Sequence, residues 1–185
     1  MKQFLIFSIL LIITSCTDSR IGGLKPVEKK DSAGIIVEEG MEDSKGQKHG
    51  VWLNYSNKNL PTVLTTYANG QKNGIMLKFN ESGSITEKAV YKDDKLEGSF
   101  KKFLHSRIKE ESFYENGLLK GERILYYDNG KMQEEGKWVN GKREGEVKWY
   151  DEQGNLKLHY EYKNGEKIKE IAVPPPPTPS APEPK

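Results

Sequence analysis

Between Lys45 and Ile171 apolar residues fall in short alternating runs, and no segment carries a sustained helical stripe. The clearest run is Leu156, Leu158, Tyr160 and Tyr162, separated by Lys157, His159 and Glu161. A period of two belongs to a strand with one face buried. Just before it, Gly145-Glu-Val-Lys-Trp-Tyr150 is enriched in β-branched and aromatic residues, and Asp151-Glu-Gln-Gly154 is a turn signal. Strand, tight turn and strand make a β-hairpin. Asn-Gly pairs at 69–70, 116–117, 129–130, 140–141 and 164–165 mark further reversals, because both residues tolerate positive φ and their twist suits the flanking strands.

The hairpin recurs. Aligning the second glycine of each box of the NGKxxG kind gives Gly50, Gly74, Gly98, Gly121 and Gly145, with steps of 24, 24, 23 and 24 residues. The aromatics that open the boxes, Tyr67, Tyr91, Tyr114, Trp138 and Tyr162, step by 24, 23, 24 and 24. Two markers holding one period indicate a repeat architecture in which each unit contacts mainly its neighbours. Gly50, Gly70, Gly74, Gly98, Gly117, Gly121, Gly130, Gly141, Gly145, Gly154 and Gly165 are therefore expected as turn glycines. The third unit departs from the pattern: its box is Asp93-Asp-Lys-Leu-Glu-Gly98 and its other turn is the short Leu104-His-Ser-Arg107. It is expected to be the most irregular.

Other positions also repeat. Five residues after each aligned glycine stands an aromatic, Tyr55, Phe79, Phe103, Tyr126 or Tyr150; two before the opening aromatics stand Thr65, Ala89, Ser112, Gly136 and Tyr160, mostly small. Stacked hairpins bring such positions into rows, and cross-strand rows stabilise a sheet. Small residues beneath large ones let rings lie across one layer. With 35% hydrophobic residues, a two-layer sandwich of this length is not expected. The fold class is all-β, an antiparallel meander of stacked hairpins over residues 46–171.

The ends read differently. Residues 1–15 carry one Lys, an apolar run from Phe4 to Ile13 and then Thr14 and Ser15. That run is about half of the ~20 residues needed to span a bilayer, and the layout is that of an export signal. Ile13-Thr14-Ser15-Cys16 resembles a bacterial lipobox, which implies cleavage before Cys16 and acylation of its thiol and new amino terminus. Buried acyl methylenes contribute ~0.8 kcal/mol each, so two or three chains hold a protein at a membrane. Cys16 is the sole cysteine, leaving none for a disulfide within the chain. Residues 16–45 are expected as a flexible tether in which Ile35, Ile36 and Val37 are as apt to add a first strand as not. The proline-rich segment 172–185 is expected to be extended and unpaired.

Removal of residues 1–15 leaves 28 basic against 27 acidic side chains. Lys and Glu alternate rather than cluster, which argues against a nucleic-acid surface. His49, His105 and His159 lack metal-ligand spacing, no phosphate loop precedes a helix, and no nucleophile motif is present. No catalytic residue, metal or cofactor is expected, and the chain is read as a non-enzyme. The aromatic rows serve the core first. Where rings are exposed they would offer stacking platforms, with Trp52, Trp138 and Trp149 the candidate contacts.

Boxes of the form Tyr/Trp-x-Asn-Gly-Lys-x-x-Gly followed by Tyr-x-x-x-Gly-x-Leu resemble the bacterial MORN repeat variant, the family often called YwqK-type antitoxins, from about Gly46 to Ile168. The resemblance implies an elongated, twisted sheet and a role in binding or scaffolding. The expected function is a membrane-anchored envelope lipoprotein whose repeats bind a protein or an envelope polymer by adding weak, repeated contacts. An antitoxin or immunity lipoprotein and a glycan-binding module are the alternatives. Thr17 after the cysteine leans toward the outer membrane, by resemblance to the sorting of Gram-negative lipoproteins.

Overall fold

The computed structural model describes residues 23–175. The expected export signal, Cys16 and the proline segment from 176 onward lie outside the described residues. Among those described there is no helix. The strands are β1 (Lys25–Lys30), β2 (Ile36–Glu42), β3 (Lys48–Tyr55), β4 (Pro61–Ala68), β5 (Gln71–Phe79), β6 (Ile85–Lys92) and β7 (Lys95–Leu104). They continue as β8 (Arg107–Glu115), β9 (Leu118–Tyr126), β10 (Met132–Val139), β11 (Lys142–Tyr150), β12 (Leu156–Lys163) and β13 (Glu166–Glu170). Their order in space is their order in sequence, every neighbour is antiparallel, and all 13 form one open sheet. This is the all-β meander of stacked hairpins that the repeat period calls for.

The sheet begins earlier than residue 46. Two strands occupy the segment expected as a tether, and the even odds on Ile35–Val37 resolve in favour of β2, which starts at Ile36. The turns explain it. Asp31 Oδ1 accepts from the N–H groups of Ala33 and Ile35 at 2.9 Å each, and Asp43 Oδ1 does the same for Lys45 and Gln47. Asp-Ser-Ala-Gly and Asp-Ser-Lys-Gly thus fold like Asp151-Glu-Gln-Gly154, whose Oδ1 holds Gln153 and Asn155. β1 is hard to see because an outer strand needs little apolar surface, and its Pro26 and charges suit an unpaired edge.

The reversals are of two kinds, one dominating each margin of the sheet. One margin is built mainly of two-residue turns in which both residues have positive φ: Asn69-Gly70, Asp93-Asp94, Asn116-Gly117, Asn140-Gly141 and Asn164-Gly165. The other has five-residue turns at 31–35, 56–60, 80–84, 127–131 and 151–155, each closed by the first N–H donating to the fifth carbonyl. The expected irregularity of the third unit is half right. Asp93 (φ 50) and Asp94 (φ 65) copy the Asn-Gly geometry, since a short polar side chain tolerates this region. At His105-Ser106 a two-residue turn replaces the five-residue form.

Asp151 holds its turn as a carboxylate. Hydrogen bonding from the Asn155 side chain, with smaller help from the Asn155 N–H and Lys157, keeps it at about 2, below its ordinary 3.8. A depressed folded-state pKa contributes stability that is present above the unfolded value and lost as pH falls through the folded one. Acid titration by NMR is expected to show this turn intact at pH 5 and loosening only from roughly pH 4 toward pH 2. Asp151→Asn should remove that pH dependence.

Five of the eleven expected turn glycines are not in turns. Gly50, Gly74, Gly98, Gly121 and Gly145 lie inside strands with φ between 68 and 108, at points where the register breaks. On β4 and β5, Thr65 pairs with Met76 but Tyr67 with Lys72, so Thr66 alone faces residues 73–75. An extra residue in positive φ is a bulge that bends the strand, and a Cβ on Gly74 would lie 2.5 Å from Thr66 Oγ1. The repeated glycine therefore curves the sheet, while Gly70, Gly117, Gly141 and Gly165 turn the chain at one margin and Gly130 and Gly154 at the other.

One face packs against itself. The ladder running Gly40, Trp52, Thr65, Met76, Ala89, Phe100, Ser112, Arg123, Gly136, Val147 and Tyr160 crosses the sheet in register. Trp52, Met76, Ala89, Phe100 and Val147 are buried along it, with Trp138 alongside. From β2 to β11, large residues of odd strands lie over small residues of even ones; on β12 the small position is taken by Tyr160. A Cβ on Gly40 would sit 2.4 Å from the Trp52 ring, and one on Gly136 would meet Val147 at 2.9 Å and Trp138 at 3.1 Å. The indole over a bare backbone is what lets one layer shield its own hydrogen bonds.

Candidate functional site

Side chains alternate across a strand, so the packed face has an opposite, open face. The two carry different chemistry. On the packed face, acids line one row of even strands: Glu38, Glu87, Glu110 and Glu134. Glu134 is buried; its Oε1 takes Arg143 Nη2 at 3.1 Å, and its Oε2 takes Trp149 Nε1 at 2.7 Å. Arg123 Nε donates to Glu110 Oε1 at 2.8 Å, and the same guanidinium approaches Glu134 at 3.7 Å. Arg143 stacks within 5.6 Å of the Trp138, Trp149 and Tyr162 ring centres. The result is a carboxylate held by guanidinium groups beneath indoles, an arrangement that fixes the sheet.

The same cluster recurs four units earlier. Glu38 binds Lys29 at 2.7 Å and also Lys48, whose ammonium lies 4.2 Å from the Trp52 ring centre and 5.0 Å from that of Tyr67. Burial pushes the Glu38 carboxyl up, but hydrogen bonds from Lys29 and Lys48 outweigh it and hold the group below its ordinary value. Trp52 Nε1 donates to the Met41 carbonyl at 3.0 Å. Trp52 at 1% and Trp138 at 6% exposure are therefore core, and their expected role as open stacking platforms is corrected. Both rings sit over glycine or between cations. Trp149 is half-buried and occupied by Glu134, Tyr160 and Tyr162. The three indoles do not converge: Trp138 and Trp149 meet through Arg143, and Trp52 stands near the other end.

Three of the exposed apolar side chains, Val51, Ile75 and Phe113, stand on the open face. The residue after each bulge glycine projects there: Val51 at 50% exposure, Ile75 at 44%, then Ser99, Glu122 and Glu146. The row beside it reads Leu53, Leu64, Leu77, Lys88, Lys101, Glu111, Ile124, Glu135 and Lys148. Phe113 stands out at 49%. The row beside the bulge residues thus opens on three leucines and continues as Lys and Glu, interrupted by Ile124. In the second half Glu122, Ile124, Glu135, Lys137, Glu146 and Lys148 line a groove of about 230 Å³. The signal was in the chain: the position after the repeated glycine drifts from Val and Ile to Ser and Glu.

A third row on the open face, near the margin of the five-residue turns, holds Tyr55, Phe79, Phe103, Tyr126 and Tyr150, one on every second strand and each half-buried. Burial, with a hydrogen bond to Glu39, pushes the Tyr55 hydroxyl up to about 12. Tyr150 rises to about 12 in the same way over Glu135. Both hydroxyls thus stay protonated donors at neutral pH. His159 Nε2 lies 3.1 Å from Glu146 Oε2 on this face. Among the described residues no group of three or more His, Cys, Asp or Glu is placed to hold a metal ion.

An open sheet of equivalent hairpins, packed on one face and bare on the other, defines a repeat protein whose units offer surface rather than a cleft. MORN repeat variants are found in it at residues 72–93, 119–140 and 143–164. These repeats suggest a repeat-based binding module. No curated protein matches the chain. Among solved structures, one match is the crystal structure of a mutant of S. aureus TarM in complex with Fondaparinux, alpha-GlcNAc-glycerol and UDP. It has 18% identity and a TM-score of 0.35, over 56% of this chain and 20% of that one. The chain thus spans about a fifth of that protein's length.

Proposed function

We propose that this chain is a non-catalytic lipoprotein of the bacterial cell envelope, anchored through Cys16, whose open sheet face binds another protein. The observation that carries the reading is the split between faces. The packed face spends its aromatic and charged groups on itself, whereas the open face leaves Val51, Ile75 and Phe113 about half exposed beside rows of Lys and Glu. Apolar residues bordered by charges of both signs suit a protein surface. Repetition along the sheet adds weak contacts into useful avidity.

The YwqK-type resemblance is compatible with a partner that is a toxin, which makes immunity a special case of this reading. The glycan-binding alternative loses Trp52 and Trp138 to the interior.

Ile75→Asp and Phe113→Asp together should abolish partner binding while leaving the melting temperature nearly unchanged, since exposed substitutions stay within about 0.5 kcal/mol. Binding that survives both would reject the open face as the contact. For the anchor, Cys16→Ala is expected to move the protein from the membrane fraction to the soluble fraction. Unchanged fractionation would exclude lipidation at that site.

A further inference from the structure

Two rows run side by side across the strands of the open face, one holding Val51 and Ile75 and the other Leu53 and Leu77. From β3 to β12 each strand gives one residue to each row, two positions apart. A two-fold axis laid between the rows, at right angles to the strands, places a second copy with every strand over its own equivalent and exchanges the rows. Val51 then meets Leu53 on β3, Thr66 meets Leu64 on β4 and Ile75 meets Leu77 on β5. On the charged half, Lys137 meets Glu135 on β10, Glu146 meets Lys148 on β11 and Glu161 meets His159 on β12. Each of β6 to β9 opposes one charged side chain to an apolar or hydroxyl one, so no strand of this set brings like charges together.

An axis along the strands does the reverse, laying the apolar β3 to β5 over the charged β10 to β12. The axis across the strands is also the direction about which they twist, so equivalent strands stay aligned along the whole sheet. Glu146 and Glu161 are direct cross-strand neighbours, a like-charge pair that weakens a sheet. Within one copy Glu146 has His159 at 3.1 Å and Lys148 at 3.7 Å; a second copy brings another Lys148 and another His159 to the same two carboxylates. The surface is large enough as well. Nine strand spacings and three side-chain rows cover about 43 Å by 20 Å, on the order of the ~800 Å² per partner of a stable interface.

We propose that the protein on the open face is a second copy of this chain, the two sheets forming a two-fold sandwich in which the row of Ile75 and Glu146 packs against the row of Leu77 and Lys148. This rests on the open face being the contact surface, and it names what covers it. Facing sheets stack about 10 Å apart with their strands nearly aligned, which buries the leucines of β3 to β5. The apolar half supplies attraction, and the checkerboard of β10 to β12 fixes the register.

The test co-expresses two differently tagged full-length copies and asks whether one precipitates the other from detergent extracts. Wild-type copies should do so. Glu135→Lys with Glu146→Lys makes one variant, and Lys137→Glu with Lys148→Glu makes the other. Either variant paired with itself sets like charges across the axis and should lose about a hundredfold in affinity, whereas the two variants paired with each other set opposite charges at all four contacts and should recover it. Ile75→Glu on one copy with Leu77→Lys on the other repeats the test in the apolar half, away from Tyr150 and His159, and circular dichroism checks that every variant is folded. Folded variants that self-associate as well as wild type, or that fail to recover when mixed in both sets, would overturn the proposal. Wild-type copies that never co-precipitate would overturn it too, while leaving the open face to a different protein, recognised by its crosslinks from Ile75 and Phe113.

Discussion

Trp52→Ala is expected to cost about 3–5 kcal/mol, the range for deleting a fully buried large aromatic. Trp52 is 1% exposed, lies against the bare backbone of Gly40, donates to the Met41 carbonyl and carries Lys48 over its ring. A single-layer sheet has no second layer to collapse into the space, so the cavity opens to water instead. In a repeat protein the damage stays with the nearest units. Hydrogen exchange should therefore accelerate through β1 to β4 and remain slow in β9 to β11. Val51→Ala, one residue away on the open face, should change stability by less than about 0.5 kcal/mol. Equal effects from the two substitutions would contradict the assignment of faces.

Glu134→Ala comes next. The carboxylate is 7% exposed and receives Arg143 and Trp149, with Arg123 nearby. Removing one partner of a buried pair leaves the others without compensation, which costs about 3–5 kcal/mol when burial is complete. The Arg143 side chain is 34% exposed, so water recovers part of the loss and about 2–3 kcal/mol is expected. Glu134→Leu should cost less than Glu134→Ala, because packing under Trp138 and Trp149 is kept. Chemical denaturation of both variants checks the order.

Much of this was legible in the chain before any coordinates. Asn-Gly pairs and a fixed period near 24 residues specify hairpins and their order, because turn conformation and strand alternation are local properties. Three things were not. The bulge role of Gly50, Gly74, Gly98, Gly121 and Gly145 depends on which residues face Gly40, Thr66, Val90, Phe113 and the Gly136–Lys137 step across the ladder, and register is a property of two strands. The first strand hid because Lys25–Lys30 sits at an edge and needs no apolar stripe. The indoles read as binding groups because a Trp in a polar strand gives no sign that a glycine lies beneath it on the neighbouring strand. Gly40 and Gly136 decided that for Trp52 and Trp138.

For the candidate site, residue types located the aromatic rows but not the face of each. Tyr67, Tyr91, Tyr114, Trp138 and Tyr162 belong to the packed face, whereas Tyr55, Phe79, Phe103, Tyr126 and Tyr150 belong to the open one. The bulge shifts the alternation once per unit, so counting by twos along the sequence fails across each box. Once the bulge is placed, the open face can be read from the residue after every repeated glycine.

The decisive measurement is site-specific photocrosslinking in intact cells, with the reactive side chain placed in turn at Ile75 and Phe113 on the open face and at Lys78 and Lys102 on the packed face. Crosslinks to one defined protein from the first pair and none from the second are the expected result. Crosslinks from Lys78 and Lys102 alone would contradict an open-face binding module.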